Sequence, residues 1–145
     1  MASSSLSNGA ASARWSGSMV WVARCTSYRP ARKRFPSIGI TSWTSCFFVV
    51  SGEGEYRFGD TTVPVRSGDI VAAPAGTQAH QLINNGSNDL RYLGISTMGG
   101  VDVVDYPDSK KIAVAAGVKN ADFKTATYVG LGRIAPTDYY DGEDG

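Results

Sequence analysis

The chain reads as an all-β domain, a sandwich or barrel of short strands. Three observations predict this. Glycine occupies 17 of 145 positions. The apolar runs are short, and Gly, Pro, Asn or Asp closes them at regular spacing, the pattern of strands joined by turns. No run of about 18 or more apolar residues occurs, so no membrane span is expected. A length of 145 residues and a net charge of +1 suit one domain large enough to bury a core. That charge gives no reason to expect a nucleic-acid partner.

Each element follows from local chemistry. Phe47 to Val50 is an apolar strand, and Ser51-Gly52-Glu53-Gly54 is a tight turn. Glu55 to Phe58 alternates as a strand, and Gly59-Asp60 turns it. Thr62 to Val65 is a β-branched strand leading into Ser67-Gly68-Asp69. Ile70 to Ala73 is a short apolar strand. Pro74-Ala75-Gly76 turns the chain, because Pro fixes φ and Gly tolerates positive φ. Ala79 to Asn84 is a further strand, carrying His80, the only histidine, and ending at Asn84-Asn85-Gly86. Leu90 to Thr97 is a long strand. Met98 to Lys111 reads as a loop, with Tyr106-Pro107-Asp108-Ser109 closing over the barrel. Ala126 to Leu131 is a last strand, and Thr137 to Gly145 is an acidic tail.

The charges are unevenly placed. All 13 acidic residues lie from Glu53 onward, whereas residues 1–52 hold Arg14, Arg24, Arg29, Arg32, Lys33 and Arg34 and no acid. Met1 to Ser12 is Ser/Ala-rich, the composition of a disordered segment. Ala13 to Thr44 shows no clean period of 2 or 3.6, and Trp15, Trp21 and Trp43 are scattered through it. The expected organisation is an irregular or disordered segment over residues 1–45, a barrel over 46–135 and the acidic tail over 136–145. Cys25 and Cys46 offer neither metal spacing nor a disulfide framework.

Gly68 to Asn84 has a spacing of its own. Gly68, Pro74, Gly76, His80 and Asn84 resemble the second signature motif of the cupin superfamily, with one extra residue between Gly76 and His80. Phe47 to Asp60, F-F-V-V-S-G-E-G-E-Y-R-F-G-D, looks like the end of the first cupin motif. R-Y-L-G-I-S-T-M, V-D-V-V-D-Y-P-D-S-K-K and D-Y-Y-D-G-E further on are similar to a group of small single-domain cupins. The resemblance covers about Phe47 to Gly145 and implies a double-stranded β-helix. It does not imply one reaction, since cupins include isomerases, dioxygenases, storage proteins and binding domains.

The resemblance also implies a metal site that this sequence does not supply. Cupin centres hold Mn, Fe, Ni or Zn with three imidazoles and one carboxylate. With Gly52 as the last glycine of the first motif, the glutamate position is Ser45 and the two histidine positions are Ile38 and Ile40. The one-residue-shifted positions, Gly39 and Thr41, ligate no better. His80 alone matches, and the expectation is no cofactor for the chain as it stands.

Three accounts fit residues 13–46: a diverged cupin that lost its metal, an organelle transit peptide (Ser- and Arg-rich, acid-poor), or a shifted coding frame. The third can be examined through codons built from the last base of one codon and the first two of the next. Met19-Val20 and Trp21-Val22 then give Gly, and Trp43-Thr44 gives Asp, without choice. Ser37-Ile38 and Gly39-Ile40 each give His, Tyr, Asn or Asp, while Thr44-Ser45 permits Glu. One permitted reading of Pro30 to Cys46 is G-A-E-A-L-P-L-H-W-H-N-E-L-D-E-L, which has the histidines, glutamate and spacing of the first motif. On this account the segment packs poorly and leaves an apolar edge near Phe47 to Val50.

Two functions follow as expectations. One is a protein resembling metal-dependent small-molecule cupins, but metal-deficient and inactive as written. The other is a metal-free binding module for a sugar, acyl or small aromatic ligand, with candidate contacts His80, Leu82, Asn84, Phe47 and Val49. Set against this, the preferred reading of Phe47, Val49 and Leu82 is ordinary core, and of Asn84 a turn cap. His80 reads as a pocket-wall or core residue in preference to a working ligand. The resemblance implies a possible homodimer. Arg32-Lys33-Arg34 resembles a nucleic-acid patch or sorting signal, but does not exist in the shifted frame, and no nucleophile–base arrangement is visible. The expected compartment is the cytoplasm, or an organelle if the N-terminus is a transit peptide.

Overall fold

The computed structural model describes residues 10–14, 20–28, 36–119 and 122–143. The twelve strands are β1 (Ala10–Arg14), β2 (Val20–Tyr28), β3 (Gly39–Ile40), β4 (Ser45–Ser51), β5 (Glu53–Phe58), β6 (Thr61–Arg66), β7 (Ile70–Ala73), β8 (His80–Ile83), β9 (Leu90–Met98), β10 (Val101–Tyr106), β11 (Lys111–Ala116) and β12 (Tyr128–Gly132). One 3-10 turn, Phe123–Thr125, interrupts them. The fold is all-β, with antiparallel pairing throughout, in three sheets ordered β1-β2-β9-β4-β7, β12-β11-β10-β3 and β6-β5-β8. A bridge between Ile38 and His80 ties β8 to the segment entering β3.

Seven expected strands are present within a few residues of their expected bounds. Gly52 makes the β4–β5 turn at φ 87, and a Cβ there would collide with the Asp89 carbonyl, so only glycine fits. The buried residues Val49, Tyr56, Val65, Leu82, Leu90 and Tyr92 form the main core, with Phe47, Phe58 and Val71 packed against it. A smaller cluster holds Trp43 and Met98, with Ile40 alongside.

Two expectations require correction. Met98 to Lys111 is not one loop. Val101–Tyr106 is a strand paired along its length with Lys111–Ala116, and Pro107 to Lys110 is the turn between them. Pro107-Asp108 disguised this hairpin, since both residues signal a break, and Lys110 completes the turn at φ 53. Asp108 also ties the turn to β5 through Arg57 at 2.7 Å. Both side chains are partly exposed, so Asp108→Ala is expected to lower stability by less than ~1 kcal/mol, read from urea unfolding midpoints. A larger loss would show that the turn is held by more than this pair.

The second correction concerns Phe47 to Val50, expected at an exposed edge. β4 lies inside its sheet, between β9 and β7, and Val49 is fully buried. Phe48 and Val50, on the alternate face, are the exposed ones. Residues 1–45 are not irregular throughout, because β2 pairs with β9 from Val20↔Met98 to Tyr28↔Leu90. β9 presents a long row of backbone donors and acceptors that must pair, and V-W-V-A-R-C-T-S-Y is β-branched and aromatic enough to do so. Most of the Met1 to Ser12 stretch, Trp15 and the Arg32-Lys33-Arg34 cluster lie outside the described residues.

Candidate functional site

His80 opens β8 and is only 3% exposed. Its backbone exchanges two hydrogen bonds with Ile38, at 2.8 and 3.0 Å, and its neighbour on the other side is Phe58 of β5. The imidazole lies 5.6 Å from the Phe47 ring and 6.5 Å from the Tyr56 ring, both tilted. Burial lowers its pKa from 6.5 to about 4, because a charge is costly away from water. The ring is therefore neutral at pH 7, and its Nε2 is buried without a partner. Such an atom carries the desolvation penalty of a polar group without a return.

Direct partners in an antiparallel pair share a face. Ile38 is therefore on the same side as the imidazole, and Ile40, two residues on, is too. Ile40 packs against Trp43 and Met98. Ser45, the remaining first-motif position, is buried on β4, and its hydroxyl lies 2.8 Å from that of Ser96. Phe47 is two residues from Ser45 on the same face and reaches the His80 ring. Ile38 is thus the cross-strand partner of the histidine, Ile40 lies two residues along from it, and Ser45 lies two residues from Phe47, whose ring approaches the imidazole. This donor set is one imidazole, two aliphatic side chains and a hydroxyl, and it does not fit a divalent transition metal. Among the described residues no group of three His, Cys, Asp or Glu stands together to hold an ion.

The other candidate contacts separate into core and cap. Val49 and Leu82 belong to the main core, with Phe47 half-buried against it. The Asn84 amide is committed to its turn: Oδ1 accepts from the Gly86 N–H at 3.0 Å, and Nδ2 donates to the Asn88 carbonyl at 2.9 Å. Tyr56, which the sequence reading passed over, donates its hydroxyl to the Ala72 carbonyl at 2.9 Å. Its pKa is pushed up to about 12, chiefly by burial and secondarily by Cys46. Its alternation in E-Y-R-F was the available signal. Asp102 was also missed. It is buried, accepts from the Ser42 N–H through Oδ1 at 3.1 Å, and has its pKa raised by burial despite backbone hydrogen bonds from Ser42 and Val103. A cleft of about 580 Å³ lies elsewhere, lined by residues that include Glu53, Glu55, Arg66 and Asp69.

The family model for the cupin domain matches residues 31–96, a span holding both the His80 strand and the Ile38 strand. The chain carries a cupin-superfamily domain. Its match begins upstream of Phe47, so the residues around Ile38 and Ile40 fall inside the domain. The cupin-superfamily sugar phosphate isomerase of Silicibacter pomeroyi superposes with a TM-score of 0.69 at 14% identity, covering 88% of each chain. A protein provisionally named as a sugar phosphate isomerase from Acidithiobacillus ferrooxidans gives 0.64 at 21% identity, over 83% of this chain and 74% of that one. A cupin protein from Bacteroides fragilis gives 0.50 at 14%, over 69% and 85%. At these identities the likeness is one of fold. No protein of curated function matches this chain in sequence.

Proposed function

We propose that this cupin domain is metal-deficient and lacks the metal-dependent small-molecule chemistry found in metal-binding cupins. One observation carries the reading: Ile38, not a ligand, is the direct cross-strand partner of His80. A lone neutral imidazole does not hold a divalent ion tightly, so no Lewis acid is positioned to polarise a substrate oxygen. Two structural neighbours are named as sugar phosphate isomerases, which supports a small polyhydroxylated compound as the ancestral kind of ligand. The test is equilibration of the purified chain with Mn²⁺, Fe²⁺, Ni²⁺ and Zn²⁺, then dialysis and metal analysis. Well under one equivalent is expected, and about one equivalent retained would overturn the proposal.

The second reading is a metal-free binding module. The unpartnered Nε2 of His80 beside Phe47 and Tyr56 favours it, since aromatic walls with one polar group are common in ligand pockets. Under this reading the partner is a small sugar, acyl or aromatic molecule. Self-association into a homodimer would draw on the exposed apolar residues Val129 and Leu131 of edge strand β12. Cys46, free and half-buried, suits a reducing compartment such as the cytoplasm. No helix among the described residues is long and apolar enough to cross a membrane.

A further inference from the structure

The turn between β8 and β9 carries an Asn-Gly pair, Asn85-Gly86, that takes no part in the site around His80. Asn85 is exposed and Gly86 half-buried. Both line the cleft of about 580 Å³ that also holds Glu53, Glu55, Arg66 and Asp69. The preceding residue, Asn84, is buried. Its Oδ1 accepts from the Gly86 N–H at 3.0 Å, and its Nδ2 donates to the Asn88 carbonyl at 2.9 Å. An asparagine followed by glycine readily loses its side-chain amide, because a residue without Cβ leaves its backbone nitrogen open to close approach by the carboxamide before it. In Asn85-Gly86 the nitrogen that would react is the one whose proton Asn84 holds.

We infer that Asn85 is a deamidation site, and that Asn84 restrains the reaction by holding the N–H of Gly86. The only co-reactant is solvent water. The Gly86 nitrogen gives up its proton to solvent and bonds to Asn85 Cγ. The Cγ–Nδ2 bond breaks, and the amide takes a proton back and leaves as ammonia. Water then opens the five-membered imide at either carbonyl, leaving aspartate or isoaspartate at position 85. Nothing is oxidised or reduced. An acceptor on the Gly86 N–H favours the protonated nitrogen over the anion that attacks, so the folded chain reacts more slowly than the unfolded one. Glu53 acts in the same direction. Its Cγ would lie 3.8 Å from a Cβ on Gly86, so its carboxylate repels an anion formed there. The product adds a carboxylate to a cleft that already holds those of Glu53, Glu55 and Asp69. Its isoaspartate form also lengthens the backbone of the turn by one carbon.

The test incubates the full chain at mildly basic pH, folded and in guanidinium chloride, and follows Asn85 by peptide mapping and mass spectrometry. Asn8-Gly9, the chain's other Asn-Gly pair, lies outside the described residues and serves as the internal reference. In denaturant the two asparagines should react at similar rates, and folding should slow Asn85. Asn84→Ala should speed Asn85 in the folded chain about 5-fold, the factor that corresponds to one hydrogen bond of ordinary net strength, and leave Asn8 unchanged. Asn84→Asp keeps the acceptor and loses only the Nδ2 donor, so its rate should stay close to that of the unaltered chain. Gly86→Ala, whose methyl would meet only ordinary contacts from 3.5 Å outward, should slow the reaction even in denaturant. Equal rates at Asn85 in the folded and denatured chains would overturn the inference, as would an Asn84→Ala chain that reacts no faster than the unaltered one. Should Asn84→Ala fail to fold, the folded and denatured rates and Asn84→Asp decide. A folded Asn84→Asp chain that reacts as fast as denatured protein would overturn it too.

Discussion

A chain carrying Ile38→His, Ile40→His and Ser45→Glu together is expected to bind about one equivalent of Zn²⁺ or Mn²⁺ where the unaltered chain retains far less. The geometry supplies the reason. Ile38 and His80 exchange both backbone hydrogen bonds at 2.8 and 3.0 Å, and such pairs hold their Cα atoms about 5.5 Å apart. Two imidazoles on one face at that spacing can reach a common ion with bonds of about 2.0–2.1 Å to Zn. Ile40 adds a third from the same face, and a carboxylate at position 45 enters beside Phe47, whose ring already touches His80. A residue that merely orients a ligand alters metal affinity on the order of 10–100-fold. Three direct ligands should alter it more. Calorimetry and metal analysis read the gain, and adding His80→Ala to the triple variant should abolish it. A folded triple variant that binds no better than the unaltered chain would show that the backbone frame around His80 is not that of a metal centre.

How much of this was legible beforehand depended on what each segment must satisfy. Gly68 to Asn84 was readable because its turn residues are irreplaceable: Gly68 and Gly76 sit at φ 95 and 68, and Asn84 caps the turn that ends β8. The three first-motif positions came from counting back from Gly52, a count that relies on the fixed rise and alternation of a strand. The β10–β11 hairpin was not readable, because V-D-V-V-D-Y puts an acid on each face. Asp105 faces out, whereas Asp102 is buried, and a sequence pattern cannot tell a solvated acid from an enclosed one. The pairing of β2 was hidden for another reason. Residues 20–28 lack an alternating pattern, and their strand rests on the hydrogen-bonding demand of β9, which is a property of the assembled sheet. Composition still marks this segment off, since residues 1–52 hold no acid. A leader sequence and a shifted frame both account for that feature.

Lowering the pH from 7 to 4 is expected to cost this protein about 3 kcal/mol of stability through His80 alone. The folded-state pKa of about 4 lies below the ordinary value of 6.5. As pH falls through 6.5, the unfolded chain takes up a proton that the folded chain refuses, so protonation favours unfolding. The contribution of the neutral, buried ring is complete above pH 6.5. It declines between 6.5 and about 4 at about 1.36 kcal/mol per pH unit, and is flat below that. Other carboxyl groups titrate in the same window, so the difference between two chains is what isolates the histidine. His80→Gln cannot be charged in this range, and its unfolding free energy should lose less between pH 6.5 and 4 by about that amount. Chemical denaturation at pH 4, 5, 6 and 7 measures both slopes. Parallel slopes would mean that the imidazole reaches water or a charge partner in solution. The same experiment bears on the metal variant, because a histidine that resists protonation is already in the neutral form a metal requires. In the triple variant, metal binding should therefore fall with acid through the two introduced histidines before it falls through His80.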